Sequence, residues 1–329
     1  MKTVLITGGA GYVGSHCAKA FAAAGWKTVV LDNLSRGWRD AVRWGPLVEA
    51  DIADEVAVRT ALEQYRPDVV AHFAAYAYVG ESVSDPALYY RNNTAGTLGL
   101  LEAMRAAGSP ALLFSSTCAS YGVPEYVPID EAHPQRPINA YGASKQMVER
   151  ALQDYDRAYG LHSVCLRYFN AAGAHPSAEI GEQHDPETHL IPLLLQVASG
   201  KRETAHIFGR DYDTPDGTCI RDYVHVVDLC HAHVAALRFL DDQARSGAFN
   251  LGNGSGFSVL EVVAAAEKVT GRKLNLIDSP RRHGDPARLV ADASLARRVL
   301  EWSPQYADIE TIVQHAWRWE TKAVRTPSA

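Results

Sequence analysis

Val4-Leu-Ile6 is a short, unbroken apolar run, and Thr7-Gly-Gly-Ala-Gly-Tyr-Val-Gly14 follows it at once. A run apolar at every position suits a parallel strand buried on both faces. Val13, Cys17, Ala20, Phe21 and Ala24 then recur at helical spacing, and Gly25 is placed as a helix stop. Strand, glycine turn and helix in that order leave few folds open. The rhythm then repeats. Thr28-Val-Val-Leu31 ending at Asp32, Leu47-Val48 leading to Asp51, Val69 to Ala74, Ala111-Leu-Leu-Phe114 and Val164 to Tyr168 read as further strands. Helical spacing covers Gly96 to Ala107 and Ser144 to Tyr159. Such alternation calls for an α/β fold built on a doubly wound parallel sheet with right-handed crossovers.

After Gly173 the pattern changes. Residues 174–220 are rich in His, Pro, Asp and Gly, with one helical stretch near Leu193 to Ala198, and mixed character runs from Ser258 onward. Residues 1–173 are therefore assigned to the sheet domain and 174–329 to a smaller, mixed α/β substrate-binding domain. Phe249-Asn-Leu-Gly252 reads as a strand returning to the main sheet, so segments near 219–240 and 248–253 are expected to rejoin the first domain. The last residues, from Thr321, are expected to fray.

A net charge of −6 without any basic block gives nucleic acid or an anionic membrane no electrostatic footprint. The apolar opening is too short for a signal peptide, and no later run approaches a membrane span. Five cysteines, odd in number and without a Cys-x-x-Cys pair, read as free thiols of a reducing cytoplasm.

The glycine turn carries the first chemical assignment. Gly8 permits a tight turn, Gly11 lets backbone N–H groups approach a pyrophosphate, and Gly14 lets the helix pack on the strand, whose N-terminal partial charge favours phosphate. This is the Rossmann arrangement for a dinucleotide. Asp32, closing the next strand, suits the ribose hydroxyls and repels a 2′-phosphate, which favours NAD; Arg36 keeps NADP as a lesser option.

Tyr141 and Lys145 stand at i and i+4 on one helix face, and Ser115-Ser-Thr117 ends the fifth strand, where ligands of such sheets bind. A free phenol has a pKa near ~10, so a base working near neutrality needs a fall of roughly three units, about 4 kcal/mol. One cation at ~4 Å and an effective dielectric of ~20 supplies about that much. Lys145 and a positive nicotinamide ring are two such cations. A Thr117 hydroxyl can hold or relay the proton of a substrate hydroxyl.

Further motifs complete a pattern: Gly80-Glu-Ser82, Arg91-Asn92-Asn93, Leu166-Arg-Tyr-Phe-Asn170, Asp216-Gly-Thr218, Arg221-Asp-Tyr223 and Arg282-His-Gly-Asp285. With these, the chain resembles the extended short-chain dehydrogenase/reductases, and among them the UDP-glucose 4-epimerase family, from Thr3 to about Trp319. The resemblance implies tightly bound NAD, a UDP-sugar substrate and a homodimer. It implies Tyr141 as base, Lys145 on the nicotinamide ribose, and Thr117 in place of a more usual serine. Gly8, Gly11, Tyr12, Val13, Gly14, Asp32 and Asn33 would hold the cofactor. Asp51 and Ile52 would flank adenine, Phe73, Ala74, Ala75 and Asn92 would line the NAD path, and Phe169 would lie near the nicotinamide. Asn170, His189, Leu190, Phe208, Arg221, Arg282, Asp285 and Leu289 would join Thr117 and Tyr141 at the UDP-sugar, and the two arginines suit a diphosphate.

Some positions depart from the family pattern. Ala77 stands where many hexose epimerases carry lysine. Ser115-Ser-Thr-Cys118 and Pro137-Ile-Asn139 also resemble the UDP-arabinose (UDP-xylose) 4-epimerase branch. Leu289, at the sugar gate, is intermediate between the tyrosine of enzymes limited to plain hexoses and the small residue of those admitting N-acetyl sugars. Hexose, pentose and N-acetylhexosamine thus remain open. Related dehydratases and decarboxylases need an acid after the Thr or Ser; Cys118 and Ala119 stand there instead. An NAD-binding scaffold without turnover is the alternative from another class. No metal is expected: His231-x-His233 diverges on a helix and no His-Glu-x-x-His occurs. Cys118 is read as packing. Met147, Val148, Ala151, Leu152 and Tyr155 form an apolar stripe that is either core or dimer face.

Overall fold

The computed structural model describes residues 1–108, 111–243, 245–282 and 285–325. Its centre is a sheet of seven parallel strands in the order β11-β6-β5-β4-β1-β2-β3. The first six are β1 (Thr3–Thr7), β2 (Lys27–Asp32), β3 (Leu47–Glu49), β4 (Val69–His72), β5 (Ala111–Thr117) and β6 (His162–Tyr168). Short strands follow: β7 (Asn170–Ala172), β8 (Ala205–Phe208), β9 (Ile220–Arg221) and β10 (Tyr223–His225). Then β11 (Gly247–Leu251) returns to the sheet beside β6, in register from Gly247 opposite Val164 to Leu251 opposite Tyr168. The chain ends through β12 (Phe257–Ser258), β13 (Leu276–Ser279), β14 (Arg288–Leu289) and the helix Ile309–Arg325.

The unbroken apolar runs are explained by two cores, one on each sheet face. Val4, Ile6, Ala71, Leu113 and Leu166 meet Cys17 and Phe21 of the helix Tyr12–Ala23 and Leu229 and Leu237 of the helix Val226–Gln243. Leu5, Leu31, Val70, Leu112 and Phe114 meet Leu101 and Met104 of the helix Gly96–Ala107 and Val148 and Leu152 of the helix Ala140–Tyr159. The period-two alternation of a strand puts neighbouring residues into opposite cores. A third core gathers Leu194, Ile207, Val262, Val263, Ile312 and Val313 from the later segments.

Element ends depart from the sequence reading in instructive places. Hydrogen bonding to β6 carries β5 through its polar end, with Thr117 opposite Tyr168. The strand read over Val69 to Ala74 stops at His72, because Phe73 and Ala74 turn across Gly8. Of the residues expected to fray from Thr321, the described ones continue the last helix to Arg325, with Lys322 Nζ donating to Ala178 O at 2.9 Å; residues 326–329 lie outside the described residues. The apolar stripe beyond Lys145 divides. Val148 and Leu152 are core, whereas Met147 is exposed. All five cysteines are free and buried. Among the described residues, no helix is long and apolar enough to cross a membrane.

Candidate active site

The candidate site lies where β1, β4, β5 and β6 end. Gly8 adopts φ +72°, a left-handed conformation, and a Cβ there would meet Ala74 N at 2.4 Å. A Cβ on Gly14 would meet Gly8 O at 2.2 Å, so the helix can sit this close only without a side chain. Around Gly11 the nearest atom to such a Cβ is Gly8 O at 3.4 Å. The cradle is therefore crowded on the protein side at Gly8 and Gly14 and clear at Gly11, which fits a dinucleotide pyrophosphate. Tyr12 and Val13 begin the helix there, and the Tyr12 hydroxyl is spent on Gly173 O at 2.6 Å, tying the turn to the residue that follows β7.

Asp32 is buried and accepts N–H bonds from Ala10 at 2.9 Å and Leu34 at 2.8 Å. Burial raises its carboxyl above the usual range, and those two bonds pull it back down. A carboxylate has about four lone-pair sites, so ribose hydroxyls can still be accepted. Asn33 Nδ2 donates to Asp51 at 2.7 Å, joining the ends of β2 and β3. Ile52 is buried in the core beneath. Arg36 is paired with Glu81 at 2.7 Å and stacked on Tyr78 at 4.9 Å, which commits the cation that a 2′-phosphate would require.

Phe73 packs on His233, and Ala74 and Ala75 follow it in the chain. Asn92 lies in the π-helical segment Tyr90–Ala95 and bonds Asn93, whose amide in turn holds both backbone groups of Tyr76 at 2.9 Å. Such local departures from α-geometry accompany functional sites.

The helix Ala140–Tyr159 starts earlier than read. Asn139 caps it by accepting from Gly142 N at 2.8 Å. A Cβ on Gly142 would meet Ala119 O at 2.3 Å, so this helix start is pressed against the turn that follows Thr117. Tyr141 and Lys145 thereby face the end of β5. Tyr141 is half-buried; burial pushes its phenol up to about 12, and the neighbouring Thr117 hydroxyl opposes that rise. Lys145 is buried and donates to Ser115 O at 2.9 Å, with its ammonium 4.8 Å from the Phe114 ring centroid. Burial lowers it to about 7, against the pull of the Glu149 carboxylate. Cys118 is buried, and burial pushes its thiol up to about 12, which makes it packing and not a nucleophile.

The other wall comes from the later segments. Phe169 packs with Cys118, Tyr121, Ile129 and Ala291, and Leu289 touches this cluster. Asn170 donates its N–H to Asp222 O at 2.9 Å. Leu289 and Arg221 are register partners between β14 and β9, and the Arg221 guanidinium is paired with Asp285. Arg282 lies over the Phe208 ring at 4.2 Å. Leu190 begins the helix Leu190–Ser199, with His189 as its N-cap.

One grouping was missed in the sequence. Glu182, His184, Glu187 and His189 bring ligand-type atoms within 4.8 Å of one another. His189 pairs with Glu182, and His184 Nδ1 lies 3.3 Å from Glu182 and 3.5 Å from Glu187. Burial opposes charge on His184, yet the two carboxylates raise it to about 9. Glu182, despite burial, is lowered to about 2 by the imidazoles. The two carboxylates and the two imidazoles are thus close enough to pair with one another. The available signal was the alternation of Glu and His within residues 182–189. His231 and His233 do diverge: His231 is exposed, and His233 is buried with Nδ1 2.7 Å from Leu229 O.

A glycine cradle at the strand ends with a tyrosine–lysine helix beside it defines a dinucleotide-dependent enzyme of the doubly wound α/β class. Residues 4–252 match the model of the NAD dependent epimerase/dehydratase family, and the chain belongs to that family. It is 51% identical over 321 residues to the UDP-glucose 4-epimerase of Rhizobium meliloti (strain 1021), covering 98% of each chain. The crystal structure of UDP-glucose 4-epimerase from Brucella ovis in complex with NAD superposes with a TM-score of 0.95 at 50% identity, over 97% of this chain and 99% of that one. The UDP-glucose 4-epimerase from Stenotrophomonas maltophila, with bound NAD and formylated UDP-arabinopyranose, gives 0.95 at 40% identity over 99% of both chains.

Proposed function

We propose that this chain is an NAD-dependent UDP-glucose 4-epimerase, an isomerase that interconverts UDP-glucose and UDP-galactose through a transient 4-keto sugar. The observation that carries the reading is the convergence of Tyr141, Lys145 and Thr117 beside the Gly8–Gly14 cradle, in a chain matched end to end by such epimerases. Gly8, Gly11, Gly14 and Asp32 would hold NAD, which when bound would supply a reversible acceptor for the hydride of sugar C4. Tyr141 Oη takes the proton of the 4-hydroxyl and gives it back, and Thr117 Oγ1 steadies that hydroxyl. Burial, even opposed by the Thr117 hydroxyl, leaves the phenol at about 12. The proton transfer therefore depends on positive charge held beside it, and in this reading Lys145 supplies part of it. Arg221 and Arg282 grip the diphosphate, while the sugar ring is free to present either face.

Residues 1–173, with the segments near 219–240 and 248–253, form the cofactor part of this reading, and the remainder holds the UDP-sugar. The enzyme works as a cytoplasmic homodimer, for which exposed Met147 on the Tyr141 helix offers an apolar face. The test is incubation of the purified protein, without added NAD, with UDP-glucose, UDP-galactose, UDP-N-acetylglucosamine and UDP-xylose in turn. Equilibration of the hexose pair supports the reading. Conversion of the pentose alone would move it to the arabinose branch. Bound NAD with no turnover of any of them would leave only a binding protein.

A further inference from the structure

Glu149 stands one helical turn beyond Lys145 on the same face and is 2% exposed. A carboxylate in such a place is costly unless fully bonded. Here it is saturated. Ser116 Oγ donates to Oε1; Arg167 donates through Nε at 3.0 and 3.1 Å and through Nη2 at 2.6 Å; Gln135 Nε2 donates at 3.0 Å. Ser116 is the residue between the two that matter. Ser115 supplies the carbonyl that accepts Lys145 Nζ, and Thr117 supplies the hydroxyl beside the Tyr141 phenol.

We propose that Glu149 is a positioning residue for the epimerisation. Its carboxylate locks the end of β5 onto the helix Ala140–Tyr159 and so sets the reach from Lys145 to Ser115 and from Tyr141 to Thr117. The proposal rests on the functional reading above. The lock is braced from behind: Arg167 also donates to the Tyr121 hydroxyl at 2.9 Å, which donates to Asn250 at 2.7 Å on β11. A carboxylate serving packing alone has cheaper apolar substitutes of similar volume. Glu149 also places a negative charge near the buried ammonium. The titratable groups around Tyr141 and Lys145 are Glu149 on their own helix, His72 from β4, Tyr89 and Cys118 beside the phenol, and Arg167 and Tyr168 from β6. Of these, Glu149 is the anion that favours a charged Lys145.

The full-length protein with its cofactor is assayed for kcat and KM on UDP-glucose across pH, and for Tm, as wild type, Glu149→Gln and Ser116→Ala. Glu149→Gln keeps the shape and loses the charge. It is expected to lower kcat about tenfold or more, since small misplacements of reacting groups are expensive, and to leave KM within about twofold. Its alkaline limb in kcat should move to lower pH, because an ammonium without its anion loses its proton sooner. Ser116→Ala, which removes one hydrogen bond, should lower kcat in the same direction by a smaller factor. A Glu149→Gln protein with lowered Tm but unchanged kcat and unchanged pH limb would make the residue merely structural. If Glu149→Gln does not fold, Ser116→Ala decides, and wild-type kcat and pH profile in it would overturn the proposal. Inactivity of the wild type on every UDP-sugar would overturn the functional reading itself.

Discussion

Leu289 lies opposite Arg221 in the parallel ladder between β14 and β9, so the residue proposed to gate the sugar and one proposed to clamp the diphosphate share one pair of strands. On the proposed function, a change of bulk at Leu289 acts beside the residue that anchors the diphosphate. Leu289→Tyr should reduce turnover of UDP-N-acetylglucosamine relative to UDP-glucose, and Leu289→Ala should raise it. Parallel kcat/KM measurements on the two substrates check this. Arg221→Leu leaves Asp285 without its partner and removes a charged donor from the diphosphate. At about 2 kcal/mol or more for such a loss, KM for UDP-glucose should rise at least about tenfold.

Tyr141→Phe should retain the cofactor and the fold while losing turnover by a factor of about 10² to 10⁴, the usual range for a general base. The bound nicotinamide and the thermal transition report retention, and a UDP-glucose assay reports the loss. Rates close to wild type would remove Tyr141 from its assigned role.

Gly142→Ala introduces a methyl group 2.3 Å from Ala119 O, so the start of the catalytic helix has to move off the turn after Thr117. The expected outcome is a protein that binds NAD but has kcat reduced by roughly 10²-fold, with a Tm lowered by a few degrees. Gly160→Ala, at the open far end of the same helix, is the control; nothing lies within 4 Å there, and its cost is confined to a positive φ of 67°.

Lys145 links stability to pH. Burial depresses it to about 7, against about 10.4 in an unfolded chain. Between those values the unfolded state binds more protons, so the contribution to stability grows as pH rises and is lost as pH falls through 7. Lys145→Met removes this term. The Tm of the variant relative to wild type should be highest near neutral pH and should decline toward about pH 10. Thermal denaturation of cofactor-free protein at several pH values measures it, and a flat difference would contradict the burial argument.

Much of the fold was legible because parallel strands buried on both faces leave unbroken apolar runs, as in Val69-Val-Ala71 and Ala111-Leu-Leu-Phe114. The strand ends were not, because pairing partners decide them. Ser115 to Thr117 stay in β5 through β6, while Phe73 leaves β4 to cover Gly8. At the site, Tyr141, Lys145 and Thr117 were readable from spacing and order. Glu149 and Arg167 were not, since an acid inside a helix and an arginine inside a strand look like surface residues until the fold closes over both. The Glu182–His189 cluster was hidden for a different reason: its geometry belongs to a loop, whose path no periodicity records.

The core that joins β1, β4, β5 and β6 on one sheet face also contains Ala293, Ala296, Leu300 and Trp302, and the Trp302 indole donates to Asp228 O at 2.8 Å. A nascent chain emerging from the ribosome cannot seal that face until Trp302 has been synthesised. Until then the apolar side of the sheet stays uncovered, so prematurely terminated products should be held by chaperones or degraded rather than accumulate as cofactor-binding fragments.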